Sequence, residues 1–273
     1  MTELRTRLAD YSDLPRLAEI SRSTWEGSDY LETVAARWIS EGGLFVGEVE
    51  GEVIGAVKVT RMPSGVIWLE GLRVHPDFRS RGYGRRLVEF AAEVGWSAIE
   101  AGEATAMEFA TYVHNSESIA IATDMGFHIV EGFYIVTRPG IPDSAAPVEP
   151  ADEVEEELAA MGGHLSAGWT FVRNTPEGRE WLLQRVEALR CGPAVFLAQR
   201  SGNCYIPLGA GLKHMDELRD GVSSHAAERG LSEHSIIVPE KSRDALGRLF
   251  ERGYESWDEL SGPNMLVFTS AGA

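Results

Sequence analysis

The chain has 273 residues, 44% of them hydrophobic and 25% charged, which suits one large soluble domain or two of about 100–150 residues. Its net charge is −17, with 13 Lys and Arg against 21 Asp and Glu up to Arg138 and 12 against 21 beyond it. That excess argues against nucleic acid or an anionic membrane as partner of either half. An N-terminus without a secretory pattern, no long apolar run, and only Cys191 and Cys204 lead to the expectation of a reducing cytoplasm and no membrane span.

In chain order, apolar spacing predicts a helix over Ser12–Ser23 and a second over Tyr30–Glu41. Strand runs follow at Leu44–Glu50 and Val53–Thr60, joined by the turn-like EGE, and at Val66–Val74. Arg85–Trp96 reads as a helix, Thr105–Val113 as a strand, Ser116–Met125 as a helix ended by Gly126, and Phe127–Thr137 as a strand. A hairpin followed by alternating strands and helices is an α+β pattern with a mixed sheet. The stretch after Arg138, rich in Pro, Ala and acids, reads as a linker or exposed arm. Domains are expected at 1–138 and 151–273, with 139–150 between them.

The second half carries a shifted echo of the first. Adding 127 takes Gly82 and Gly84 to Gly209 and Gly211, Gly126-Phe127 to Gly253-Tyr254, and Val66–Val74 onto Pro193–Ser201. One shift serving several landmarks suggests a duplicated fold. The echo lacks the charges of the original: Ile206 stands for Arg79, Leu208 for Arg81 and Ser242 for Asn115. The second copy is therefore expected to be degenerate. His164, His214, His225 and His234 show no ligand spacing, and no metal is expected.

Leu72–Ala91, LRVHPDFRSRGYGRRLVEFA, places five arginines and two glycines between a strand and a helix. Glycines at such a corner free the first helical N–H groups for an anion. Arg79, Arg81, Arg85 and Arg86 add charge, and a diphosphate is the natural occupant. The spacing is neither a Walker loop nor the full dinucleotide fingerprint.

These residues resemble the GNAT superfamily of acetyl-CoA-dependent N-acetyltransferases. Arg79-Ser-Arg-Gly82-Tyr-Gly84 is similar to its pyrophosphate motif, LRVHP to its usual strand end, and Asn115-x-x-Ser118 with Gly126-Phe127 to its second motif. The resemblance covers residues 3–137. It implies a GNAT fold, a mixed and mostly antiparallel sheet flanked by helices, with acetyl-CoA as cosubstrate and a small primary amine, such as an amino acid, as acceptor. Arg79, Arg81, Gly82, Tyr83, Gly84 and Arg85 would hold the diphosphate. Leu72, Arg73 and Val74 would pair with the pantetheine arm, and Asn115 and Ser118 would complete the site. The family's usual tyrosine acid falls on Ala122, which leaves Tyr112 and Tyr134 as donor candidates, with His114 also near in sequence.

Glu70 is the candidate base, a carboxylate inside the apolar strand VIWLEGLRV. Pairing to an arginine such as Arg73 or Arg37 is the structural alternative for it. Trp25, Asp29 and Tyr30 lie where the family builds its acceptor wall, offering aromatic faces and a carboxylate to an amine. A CoA-binding sensor without turnover and a protein-modifying acetyltransferase are the rival functions.

Overall fold

The computed structural model describes residues 3–27, 29–209 and 211–271. Contacts divide the chain into two compact units. The first is Met1–Phe109, Ala120–Phe127 and Thr269–Ala273; the second is Ala110–Ile119 and His128–Phe268.

The first unit is built on β1 (Arg5–Leu8), β2 (Leu44–Val49), β3 (Glu52–Met62), β4 (Val66–Val74) and the start of β5 (Ala106–Tyr112), whose residues from Ala110 on are assigned to the second unit; the five strands are neighbours in that order. β1 to β4 are antiparallel, and β4 and β5 are parallel. The EGE turn holds Glu50 and Gly51 at φ of 55° and 85°, the left-handed pair that a two-residue hairpin requires. One face is covered by α1 (Leu14–Arg22) and α2 (Leu31–Glu41). There Leu17, Ile20, Leu31, Ala35 and Trp38 pack on Leu44, Val46 and Ala56. Asp10 and Asp13 form a capping box just before α1, satisfying donors that the first turn leaves open.

The long helix α3 (Tyr83–Glu100) covers the opposite face. Leu87 sits against Gly47 and Gly55, where an added Cβ would lie 3.0 Å from its methyl groups. These glycines let the helix approach closely. α4 (Ser116–Asp124) follows β5.

The second unit contains β6 (His128–Pro139), β7 (Glu149–Pro150), α5 (Glu155–Ala159), β8 (His164–Ala167), β9 (Thr170–Arg173) and α6 (Pro176–Leu183). β10 (Val186–Cys191), β11 (Ala194–Gln199), β12 (Cys204–Pro207), α7 (Met215–Glu228), β13 (Glu233–Pro239), α8 (Ala245–Phe250) and β14 (Met265–Thr269) complete it. Its strands run β14-β6-β13-β12-β11-β10-β7, with β12 and β13 parallel, and β8–β9 form a separate hairpin. The core joins Tyr134 and Val136 of β6, Phe196, Tyr205 and Ile236 of the central strands, and Leu218 and Val222 of α7. No helix among the described residues is long and apolar enough to cross a membrane.

Composition places a boundary at 139–150, whereas contacts assign β6 to the second unit. β6 pairs along seven residues with β13, from Pro139↔Glu233 to Phe133↔Pro239. The chain's last residues return to the first unit, where Ser270 exchanges bonds with Met107 of β5. Residues 139–150 are not a free arm either. Ile141, Ala146 and Val148 pack against the core of the second unit, and β7 pairs with β10.

The +127 shift maps β5 onto β13 and the α4 region onto α8. It does not map β4 correctly. The strand parallel to β13 is β12, so β12 is the counterpart of β4, and Ala194–Gln199 is one strand earlier. A change of loop length between the two copies breaks the single shift.

Candidate functional site

β4 carries the first part of the site. Lys58 of β3 faces Glu70, but Ala56 faces Arg73, so β4 holds one extra residue near Gly71. Gly71 has φ 69°, and a Cβ there would stand 2.6 Å from Cζ3 of Trp38. Only glycine fits this bulge, which bends the strand and breaks its alternation. The ladder between β4 and β5 ends at Trp68↔Glu108. Leu72, Arg73 and Val74 therefore lie beyond the last pair with β5, on the edge where the resemblance places the pantetheine arm.

Past β4 the chain turns through Pro76–Phe78 and reaches Gly82, the left-handed N-cap of α3 at φ 77°. No side chain caps this end, and the first helical bond runs from Arg86 N to Gly82 O. The amides of Tyr83, Gly84 and Arg85 thus lie in the turn whose donors have no intrahelical acceptor. Ser80 is also left-handed, at φ 58°, so the loop closes tightly. Tyr83 is buried against Val49 and Ile54 and anchors the helix start.

Four exposed arginines ring the corner. Arg79 donates from Nε to Val74 O at 2.9 Å, and Arg81 lies over Phe78 at 5.5 Å. Arg85 bonds Asp124 at 2.5 Å, and that bond raises its already high pKa. A Cβ on Gly84 would meet only Val74 Cγ2, at 3.7 Å. Uncapped amides, a helix dipole and guanidinium groups converge here, which suits a diphosphate.

The acceptor-wall candidates come together with Arg73, but in different roles. Arg73 grips Asp29 with two bonds, 2.9 Å from Nε and 2.7 Å from Nη2, and donates a third to Leu72 O. The side chains of Arg73 and Asp29 are 7% and 0% exposed. The same guanidinium lies 4.2 Å from the Trp25 ring centroid and 5.1 Å from that of Tyr30. Asp29 is therefore already occupied by an internal cation. Its expected role as counter-ion to an amine is replaced by one of holding the loop before α2 on β4. Trp25 stays 58% exposed, at φ 46°. Burial raises the pKa of the Tyr30 hydroxyl, with Arg73 opposing it.

Glu70 is half-buried and accepts a 2.8 Å bond from Thr60 Oγ1. Arg73 pairs with Asp29, and Arg37 lies 3.7 Å from Glu41 on α2. Lys58, facing Glu70 across the hairpin, is 2% exposed and donates to Gly42 O at 2.6 Å. Burial lowers its pKa, while Glu70 and Glu41 oppose that shift. A lysine inside the apolar run VIGAVKVT is a signal that sequence reading passed over.

The remaining candidates belong to the second unit. Tyr134 is 1% exposed in its core, and its hydroxyl is buried with no hydrogen-bond partner, so it is sealed from any departing group. Tyr112 donates its hydroxyl to the Asp258 carboxylate. Burial and that bond raise its pKa well above the ordinary tyrosine value. Asn115 caps α4: Oδ1 accepts from Ser118 N at 3.3 Å and Nδ2 donates to Thr111 at 3.1 Å. Ala122, at the usual tyrosine position, is buried.

A bulged β4, strands that part, and an uncapped α3 define the GNAT fold. Residues 14–127 match the acetyltransferase (GNAT) family, and the chain carries a GNAT acetyltransferase domain. Along nearly its whole length it is also similar to solved structures of two-domain size. One is assigned as an acetyltransferase of Thermoplasma acidophilum, with TM-score 0.68 and 15% identity over 98% of this chain and 100% of that one. Another is a tandem GNAT protein from the clavulanic acid biosynthesis pathway, with TM-score 0.64 and 14% identity over 99% and 100%. A third is a GCN5-related N-acetyltransferase from Sphaerobacter thermophilus, with TM-score 0.63 and 15% identity over 97% and 95%. Comparison with curated protein sequences found no match.

The second unit's counterpart of the corner is built differently. α7 begins at Met215, four residues after Gly211, and carries Asp216 and Glu217 in its first turn. Asp216 is bonded to Arg252 at 2.9 Å. Acidic side chains at that helix start disfavour an anion.

Proposed function

We propose that the protein transfers an acetyl group from acetyl-CoA to a primary amine of a small molecule, using the first unit's corner alone. The observation that carries this reading is the uncapped start of α3, ringed by four arginines beside the free edge of β4. The amides of Tyr83, Gly84 and Arg85, with Arg79 and Arg81, would hold the diphosphate. When bound, acetyl-CoA supplies the thioester carbonyl that an amine attacks. Main-chain donors of Leu72–Val74 would face the carbonyl oxygen, where charge develops, and stabilise the transition state more than the ground state.

Glu70, held by Thr60 Oγ1, takes the proton of the incoming ammonium. As the amine nitrogen bonds to the carbonyl carbon the C–S bond would break, and the departing thiolate would take the second proton from the nitrogen, leaving the neutral amide and the free thiol. No side-chain acid is required of Tyr134, whose hydroxyl is sealed. The second unit, with acids at its own helix start, is read as a degenerate copy that does not hold CoA. The cytoplasm is the compartment that fits two unpaired, buried cysteines.

The test is thiol release on adding acetyl-CoA to the purified chain with a panel of amines. Amine-dependent release supports transfer. Binding of acetyl-CoA without release for any amine supports a sensor, a reading favoured by the loss of the usual acid at Ala122.

A further inference from the structure

Five residues of the second unit form a surface cluster that the transfer chemistry leaves unused. Tyr112 closes β5 and donates its hydroxyl to Asp258, which fixes the carboxylate in place. His114 Nε2 lies 3.7 Å from the same carboxylate. Next in chain, Trp257 packs on Tyr112 with ring centroids 5.4 Å apart and stacks on Trp169 at 6.0 Å, the planes within 10°.

Trp257 is 52% exposed, and Asp258 is exposed beside it. Three aromatic rings thus meet at the surface beside one carboxylate. Among the described residues, the arginines lying over aromatic rings are at Trp25, Tyr30, Phe78, Tyr254 and Trp181. None covers Trp257 or Trp169, and no Arg or Lys of the described residues pairs with Asp258.

We infer that Trp257, Trp169, Tyr112 and Asp258 bind the positively charged head of a small organic molecule, an ammonium or a guanidinium. Aromatic faces attract a cation through the ring quadrupole, and an adjacent carboxylate adds direct charge pairing. An anion is disfavoured by Asp258 and by the −17 charge of the chain. A purely apolar ligand would strip water from that carboxylate without repaying it. A lone carboxylate is too few ligands for a metal ion. The binding site stands on its own geometry and does not depend on the transfer reading.

The experiment is a tryptophan-fluorescence titration of the full chain, without CoA, using agmatine, putrescine, choline and the neutral choline isostere 3,3-dimethylbutan-1-ol. Saturable changes with at least one cation and none with the alcohol are expected. Asp258→Asn should weaken that binding about tenfold, the size of a lost charge-assisted contact, and Trp257→Leu should remove the signal. Acetyl-CoA binding should be unchanged in both variants. The inference is overturned if no cation binds, if the alcohol binds as well as choline, or if Asp258→Asn binds as tightly as wild type. Cation binding by a chain that ignores acetyl-CoA would uphold the site and defeat the transfer reading. The reverse pattern would do the opposite.

Discussion

Replacing Asp29 with Asn tests whether the loop before α2 is latched to β4 by charge. The wild-type pair is bidentate at 2.7 and 2.9 Å, and its side chains are 7% and 0% exposed. Removing one charge leaves the Arg73 guanidinium buried with an amide in place of its carboxylate. Breaking a buried pair in this way costs about 3–5 kcal/mol. With a urea slope of about 1–3 kcal/mol per molar, the first unit's transition should move down by at least about 1 M. Arg73→Met combined with Asp29→Leu should recover most of that loss, because an apolar pair of similar volume avoids the desolvation of both ions. Urea unfolding of the two variants, followed by far-UV circular dichroism, is the assay. A midpoint for Asp29→Asn within experimental error of wild type would show that the pair is not a latch. A double variant less stable than Asp29→Asn would show that packing, not charge, holds the loop.

Replacing Glu70 with Gln should lower kcat about 10²–10⁴-fold, the usual contribution of a positioned base, with little change in acetyl-CoA affinity; unchanged turnover near neutral pH would remove it from that role. His234 is fully buried, bonds the Tyr254 hydroxyl at 2.8 Å, and has its pKa lowered from 6.5 to about 4, chiefly by burial and then by Arg138. The unfolded chain takes up this proton first, so the stability that His234 contributes is present above about pH 6.5 and is lost as pH falls towards 4. The loss amounts to about 3 kcal/mol. Melting temperatures of wild type and His234→Gln between those limits should show the steeper fall in wild type, and parallel curves would refute the assignment.

Local pattern carried much of the fold. Val66–Val74 was legible as a strand because it is apolar and β-branched at its start, and the observed bounds agree. The EGE turn was legible because only Gly and a few polar residues accept left-handed φ. α3 begins two residues before its expected start because Gly84 sits in the first turn, where glycine does not break a helix. β1 was missed: four residues, two of them Arg, show too short an alternation to read alone.

The membership of β6 in the second unit was also hidden. Pairing of β6 with β13 depends on contacts about a hundred residues apart, and periodicity within a strand does not name its neighbour. At the site, the diphosphate corner was legible because glycines and arginines were adjacent in sequence. Asp29 with Arg73 and Tyr112 with Asp258 were not, being separated by 44 and 146 positions. An acidic side chain looks the same in sequence whether it awaits a substrate or already holds an arginine.

The most direct measurement is isothermal titration of acetyl-CoA into wild type and Gly84→Glu. A side chain at Gly84 has room beside Val74, which a Cβ would approach to 3.7 Å, and glutamate in the first turn of a helix is favoured by its dipole. The fold should therefore persist with an unchanged melting temperature while the carboxylate repels the diphosphate. Saturable binding by wild type, abolished in Gly84→Glu, is the predicted result. Equal affinity in both, or no heat from wild type, would contradict it.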